Sequence, residues 1–342
     1  MIGRSRLDMT ITIRNFLQGL LLLSGIIGFF LVGCQPATDR PSSQVSEEKP
    51  ATPASSPAAS DQQSIQPSQK QGAESATPSS AARLRDVVPA DLTAAMQKAN
   101  PTFRGEVMVE NQDGAIVVAV NDPEVRDVSP LAGLRIHKLD LYQCSVSDLT
   151  PLRGLPLTAM ALDRTKVTDL KPLAGMPLEY LSLSETDVSD LSPLAGCPLK
   201  QLNLVRTKVT DLAPLARCPL ETLWLNDTPV SDLSPLRSVP LVSLTIAGTK
   251  VRDLNPLKGM PLKRLHIARS EVTDLTPLRW LRLERLIFTP SKIQTGMDVV
   301  RAMPTLREIG TAFGESDWGI ADRVMPAAEF WSLFDAGQLK DE

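Results

Sequence analysis

Eight aspartates, Asp127, Asp148, Asp169, Asp190, Asp211, Asp232, Asp253 and Asp274, stand 21 residues apart, with no insertion between any two of them. A unit that short cannot bury a core alone. It must stack on its neighbours, so a strict period of this length predicts a coil repeated along one axis, each turn covering the apolar face of the next.

With the aspartate as position 1, position 13 is Leu in seven copies and Met160 in the other. Position 15 reads Leu141, Leu162, Leu183, Leu204, Leu225, Ile246, Ile267 and Phe288. Apolar residues two apart with polar neighbours predict a strand with one buried face, leaving positions 12, 14 and 16 on the outward, concave side. The return arm is too short and too proline-rich for an α-helix: Pro occupies position 4 in all eight copies. Six of the eight residues at position 3 are good N-caps placed before that proline, which predicts a single 3₁₀ turn per coil on the convex side. Glycine at position 7 in five copies ends the turn, although Arg217, Ser238 and Trp280 break the rule.

The L-x-x-L-x-L spacing at this period resembles the leucine-rich repeats, from Val128 to about Ile293. The nearest flavour is the short internalin-like type, with its "DLSPL"-like segments, although those repeats commonly run one residue longer. Position 18 carries Cys144, five threonines and two serines where related repeats carry Asn, so the resemblance leaves the neighbour-to-neighbour amide ladder in question. The implied fold is an α/β solenoid: a parallel sheet on the concave face, 3₁₀ turns on the convex face and α/β caps at both ends.

The caps are needed because a solenoid otherwise exposes its core at each end. "PADLTAAMQKANP" predicts a helix with Asp91 as N-cap, and "GEVMVENQDGAIVVAV" a hairpin turning at Asp113 and Gly114. After the repeats, a helix, a last strand and a second helix are expected, with Phe330, Trp331 and Phe334 covering the final coil. This arrangement looks like the repeat regions of planctomycete-type proteins, some of them fused to kinases; no kinase motif occurs here.

Ahead of the fold, Arg4, Arg6 and Arg14 precede an apolar run from Phe16 to Val32 that breaks at "LVGCQ". A basic segment, an apolar segment and small residues describe an export signal. "LVGC" resembles the bacterial lipobox, which implies cleavage after Gly33 and lipidation, palmitate included, of Cys34. Gln35 after that Cys implies sorting to the outer membrane. Residues 35 to 81 are rich in Pro, Ser, Ala and Gln, with no aromatic residue, and read as a disordered tether. The expected organisation is therefore a signal peptide (1–33), a tether (34–81), an N-terminal cap (82–126), eight repeats (127–294) and a C-terminal cap (295–342).

Without Met1 to Gly33 the chain keeps 33 basic and 38 acidic residues, a net charge near −5. That excludes the concentrated basic face a nucleic acid requires. The only histidines, His137 and His266, lie too many coils apart to cooperate, and no Ser or Cys has a base at a motif spacing, so no enzyme activity and no cofactor are expected. The aspartate column admits two readings, a row of calcium sites or a carboxylate capping each turn. One carboxylate per repeat falls short of the 6 to 8 oxygens Ca²⁺ takes, which favours the cap. Cys197 and Cys218, both at position 8, read as buried thiols or as a disulfide between adjacent coils; parallel stacking favours the thiols.

What remains free to vary is the outward face. Tyr142, Tyr180, Asn203, Trp224 and Asn226 lie there among small Ser and Ala residues, as do Arg264, His266 and Arg285. Exposed aromatics amid small polar groups are how protein interfaces build hot spots. The expected partner is a protein or peptide on the concave face, centred on Tyr180, Asn203, Trp224 and Asn226, bound by a monomer held to a membrane by its lipid. Two rival readings are a structural envelope protein without a ligand, and a sensor of acidic glycans at the one-signed Arg264, His266, Arg269, Arg285 end. Alternating charges at position 17 (Arg164, Glu185, Arg206, Asp227) and at position 19 read as pairs between neighbouring coils that set register.

Overall fold

Every coil contributes inward side chains at positions 2, 5, 8, 10, 13, 15 and 20, and these fill one continuous core. In the coil that starts at Asp211 they are Leu212, Leu215, Cys218, Leu220, Leu223, Leu225 and Val230, all 2% exposed or less. The computed structural model describes residues 91–314 and 321–339. The lipidation site Cys34 and the tether expected over 34–81 lie outside the described residues.

The strands are three residues long, positions 12 to 14 of each copy: β3 (Lys138–Asp140), β4 (Ala159–Ala161), β5 (Tyr180–Ser182), β6 (Gln201–Asn203), β7 (Thr222–Trp224), β8 (Ser243–Thr245), β9 (Arg264–His266) and β10 (Arg285–Ile287). They pair in parallel with no shift, so equivalent positions stand side by side. Before them, β1 (Met108–Gln112) and β2 (Ala115–Ala119) form an antiparallel hairpin whose turn, Asp113 and Gly114, has both φ values positive. After them, β11 (Glu308–Gly314) continues the parallel series and β12 (Ala321–Pro326) turns back antiparallel. The described residues thus make one twelve-stranded sheet, parallel inside and antiparallel at both edges. Sequence reasoning expected one strand in the C-terminal cap; the second closes the edge.

Helix α1 (Leu92–Ala99) packs on the first 3₁₀ turn, α2 (Met297–Arg301) on the convex turn of the eighth repeat, Thr276–Trp280, and α3 (Ala327–Asp335) on β11 and β12. Asp91 precedes α1 but its side chain makes no cap bond. Phe330 of α3 is fully buried, with its ring 5.7 Å from that of Phe288 and 5.0 Å from that of Trp331.

Each convex turn is a 3₁₀ element that starts at position 3 itself, and the residue before it supplies no side-chain cap. The expectation that position 3 caps the turn is corrected: the aspartate does so. In all eight copies its Oδ1 accepts the N–H of the residue two further on, at 2.7 to 2.9 Å. The hydroxyls of Ser192, Ser234 and Thr276 donate back to the other carboxylate oxygen. A carboxylate that receives such bonds is stabilised in its charged form, and the pKa values of Asp148, Asp190, Asp232 and Asp274 are held below the ordinary value by them.

Two of the three exceptions at position 7, Arg217 and Trp280, have a local cause, while before Ser238 the 3₁₀ element stays three residues long and Arg237 follows it in the right-handed helical region. Where glycine stands there, as at Gly133 and Gly154, φ is positive and the turn ends. Where Arg217 and Trp280 stand, the 3₁₀ element runs on to five residues instead of crossing into the left-handed region.

A second left-handed position was not legible in the sequence. Position 17, just past each strand, has φ between 54° and 60° in Gln143, Arg164, Glu185, Arg206, Asp227 and Arg269. An L-residue pays roughly 1–2 kcal/mol for that conformation. Gln143→Gly is therefore expected to stabilise the protein by about 0.5–1 kcal/mol, glycine's larger unfolded entropy offsetting part of the relief. A denaturation midpoint unchanged or lowered in that variant would refute the strain.

Position 18 closes the same bend. Thr165, Thr186, Thr207, Thr228, Thr249 and Ser270 each donate to the carbonyl three residues back in their own coil, at 2.6 to 2.8 Å. The amide ladder of the resemblance is replaced by bonds internal to each coil. The charges at position 17 do pair between coils, from Arg164 to Glu185, to Arg206 and on to Asp227. Cys144, Cys197 and Cys218 are buried and free, and burial pushes the three thiols above their ordinary pKa, Cys144 to about 12.

Candidate functional site

The candidate partner-binding residues Tyr142, Tyr180, Asn203, Trp224, Asn226, Arg264, His266 and Arg285 all lie on the concave sheet or on the bends just after its strands. Because the strands pair in register, position 14 runs as one row across it: Asp140, Ala161, Ser182, Asn203, Trp224, Thr245, His266, Ile287. Neighbouring strands lie ~4.8 Å apart and residues rise ~3.3 Å along each, so Tyr180 on β5 and Trp224 on β7, two strands across and two residues along, are ~12 Å from each other.

The central group is contiguous. Trp224 is half-buried between Asn203 on one side and Thr245 on the other. The two asparagines also serve the scaffold: the Asn203 Oδ1 accepts the Val205 N–H at 3.0 Å, and the Asn226 Oδ1 accepts the Ala247 N–H of the next coil at 3.2 Å. Each keeps an amide N–H₂ group as a donor. Tyr180 packs on Val117, Ala159 and Ala161, and burial pushes its phenol above the ordinary pKa. Tyr142, on the bend after β3, accepts a hydrogen bond from the Arg164 guanidinium at 3.1 Å.

The basic end differs from its sequence reading. Arg264 is exposed, but Arg285 holds Glu308 of β11 at 2.6 Å and Arg269 holds Asp227 at 3.2 Å. His266 is buried, and desolvation together with nearby Arg269 lowers its pKa to about 3, so it is neutral at physiological pH. The one-signed cluster is thus largely compensated.

At the opposite end the structure adds two residues that sequence reasoning left in their columns. Asp140, at position 14 of β3, is 1% exposed; burial first, and the charge of Asp163 next among the raising causes, lift its pKa to about 7. Asp163, at position 16 after β4, is lifted to about 6, again chiefly by burial. The signal was present, since each is the one carboxylate in its outward column. Beside them lies Asn121, one period before Tyr142, which marks a further coil that lacks the aspartate signature.

These two carboxyls give stability a pH dependence of unusual sign. A carboxyl whose pKa is raised by folding binds its proton in the folded state while the unfolded chain, with a pKa of about 3.9, leaves it ionised. That stability is complete below the unfolded value and lost as pH rises through about 6 and 7. Lowering the pH from 8 to 5.5 is expected to raise the melting temperature by on the order of 3 °C, and Asp140→Asn to flatten the profile. A wild-type melting temperature that falls over this window would contradict the assignment.

With Leu-lined coils, a parallel concave sheet and one 3₁₀ turn per coil, the fold is a leucine-rich-repeat solenoid. It is similar to internalin C2 of Listeria monocytogenes, at 26% identity over 58% of this chain and 93% of that one, with a TM-score of 0.50. Another Listeria monocytogenes internalin (inlF) matches at 26% identity over 64% of this chain and 74% of that one, with a TM-score of 0.47. A leucine-rich-repeat protein of Leptospira interrogans, LIC12759, shares 17% identity over 54% of this chain and 57% of that one, with a TM-score of 0.40. No family model matches the chain, and no curated protein matches it. Among the described residues no helix is long and apolar enough to cross a membrane.

Proposed function

We propose that this chain is a non-enzymatic bacterial envelope protein, lipid-anchored through Cys34 and sorted to the outer membrane, whose concave sheet binds a protein or peptide. The observation that carries the reading is the in-register surface of β5 to β7, where half-buried Asn203 and Trp224 stand side by side and half-buried Tyr180 lies two residues earlier on β5. Aromatic anchors flanked by amide donors supply both contact area and directional bonds to a peptide backbone. The likeness to internalin C2, a bacterial repeat protein of the same architecture, supports an envelope or surface setting.

Of the rivals, a sensor of acidic glycans at the Arg264 end is disfavoured by the carboxylates that already hold Arg269 and Arg285 and by the neutral His266. A ligand-free structural role leaves the half-buried Trp224 unexplained. Crosslinking followed by affinity capture on the full chain tests the choice. A defined protein partner is expected, and its loss from the Trp224→Ala, Tyr180→Ala double variant. Undiminished capture by a folded double variant would sink the concave-face reading.

A further inference from the structure

We propose that the β2 to β5 end of the concave sheet is a pocket for a lysine-like side chain, a primary ammonium on an aliphatic stem, contributed by the bound partner. This rests on the reading of the concave sheet as the binding face and names the chemistry that one part of it selects.

The acceptors come first. The Asp140 Oδ1 receives the Tyr142 N–H at 2.9 Å, while its Oδ2 is buried and meets no donor in full hydrogen-bond geometry. The Asn121 amide is near enough to act on Asp140 as a donor and lower its pKa, yet both of its polar atoms are buried and fall short of full hydrogen-bond geometry. Asp163 receives two neutral donors, the Ser182 hydroxyl at 2.5 Å and the Ser184 N–H at 3.1 Å. A buried carboxyl oxygen and a buried amide left unbonded are costly, and a donor that satisfies both is favoured.

Next comes the missing charge. The cations nearest in sequence are committed elsewhere. Lys138, on β3 with Asp140, reaches Gln112 of the hairpin at 3.4 Å. Arg164 makes two 3.1 Å bonds to Glu185 and a third to the Tyr142 hydroxyl. Among the described residues no ion pair involves Asp140 or Asp163. As like charges, Asp163 raises the pKa of Asp140, Glu185 raises that of Asp163, and both acids raise that of Tyr180.

The floor identifies the stem. Val117, Ala159 and Ala161 form a small apolar cluster with Tyr180 packed against it, separate from the main core. Position 12 is therefore apolar on β2 and β4, and the acids stand two and four positions further along, ~7 and ~13 Å at the strand rise. A chain of four methylenes laid on the apolar residues brings its head to the acids.

The head group follows by elimination. An ammonium offers three donors, to match Asp140, Asp163 and the Asn121 oxygen, whereas a guanidinium would bring five. Two carboxyls and an amide fall short of a calcium shell, and no group of three metal-binding side chains is found among the described residues. The helices pack chiefly on the convex turns and the last two strands.

The test is a titration of the full chain with pentylammonium, followed by the carboxyl ¹³C resonances of Asp140 and Asp163, with 1-pentanol and calcium chloride as separate arms. Saturable shifts of both carboxyls with pentylammonium alone are expected. Asp140→Asn and Asp163→Asn, near-isosteric and checked for folding by circular dichroism, should each weaken the affinity by about thirtyfold or more. Equal binding of pentanol would reduce the site to an apolar patch, saturation by calcium would make it a metal site, and unmoved carboxyls would abolish it; any of these overturns the proposal. Partner capture separates this failure from that of the parent reading. If Asp140→Asn keeps the partner and the Trp224, Tyr180 variant loses it, the concave face binds but the pocket does not select lysine.

Discussion

Gly296→Ala is expected to cost about 3 kcal/mol or more, one of the largest single-residue effects in the chain. Thr295 stands 21 residues after Asp274, where a ninth aspartate would fall, and its hydroxyl donates to Asp274 at 2.7 Å. Gly296 thus takes the place of the inward Leu or Val at position 2, and the chain enters α2 there instead of another 3₁₀ turn. Its φ is 85°, and a Cβ would lie 2.4 Å from the Thr276 backbone nitrogen and 2.6 Å from the Leu275 carbonyl carbon. Those are backbone atoms of the last repeat and cannot rotate away. A left-handed alanine costs about 1–2 kcal/mol and overpacking about 1–3 more. Thermal unfolding should show a fall of roughly 10 °C, and a loss under 2 °C would mean that the junction yields.

Phe330→Ala should come next, at about 3–5 kcal/mol, as for a fully buried aromatic. The ring joins Phe288 of the last coil to Trp331 and Phe334 of α3. In a repeat protein stability is carried by interfaces between neighbours, so the damage should stay local before it spreads. Hydrogen exchange should show β10 and β11 losing protection while β4 and β5 keep theirs. Uniform loss along the sheet would show instead that the solenoid unfolds as one unit.

Most of the architecture was legible because a repeat states each rule eight times. Alternation at positions 13 and 15 located the strands, and proline at position 4 located the turns. What escaped depends on backbone geometry that side-chain type does not report. Nothing in Gln143 or Glu185 advertises a left-handed residue, because the bend after the strand imposes it on whatever stands there. The aspartate column was legible as a carboxylate cap of each turn, but the N-cap pattern at position 3 also suggested a second capping residue, and there the side chain bonds to the aspartate instead. The C-terminal hairpin was half missed because β12 falls outside the period. At the candidate site the columns told which residues face outward but not how deeply they sit. Asp140 and His266 occupy the same outward row as Trp224, and desolvation drives one towards the neutral acid and the other towards the neutral base.

The absence of any register shift from β2 to β11 makes the concave face a ruler. The acids on and after β3 and β4 and the exposed Arg264 on β9 are held apart by whole strands; from β3 to β9 there are six steps, ~29 Å. Removing one internal 21-residue copy would bring the two ends closer by a single ~4.8 Å graduation while leaving each end chemically unchanged. A partner that grips both ends would read that change as a length, and one that grips only the middle would not notice it.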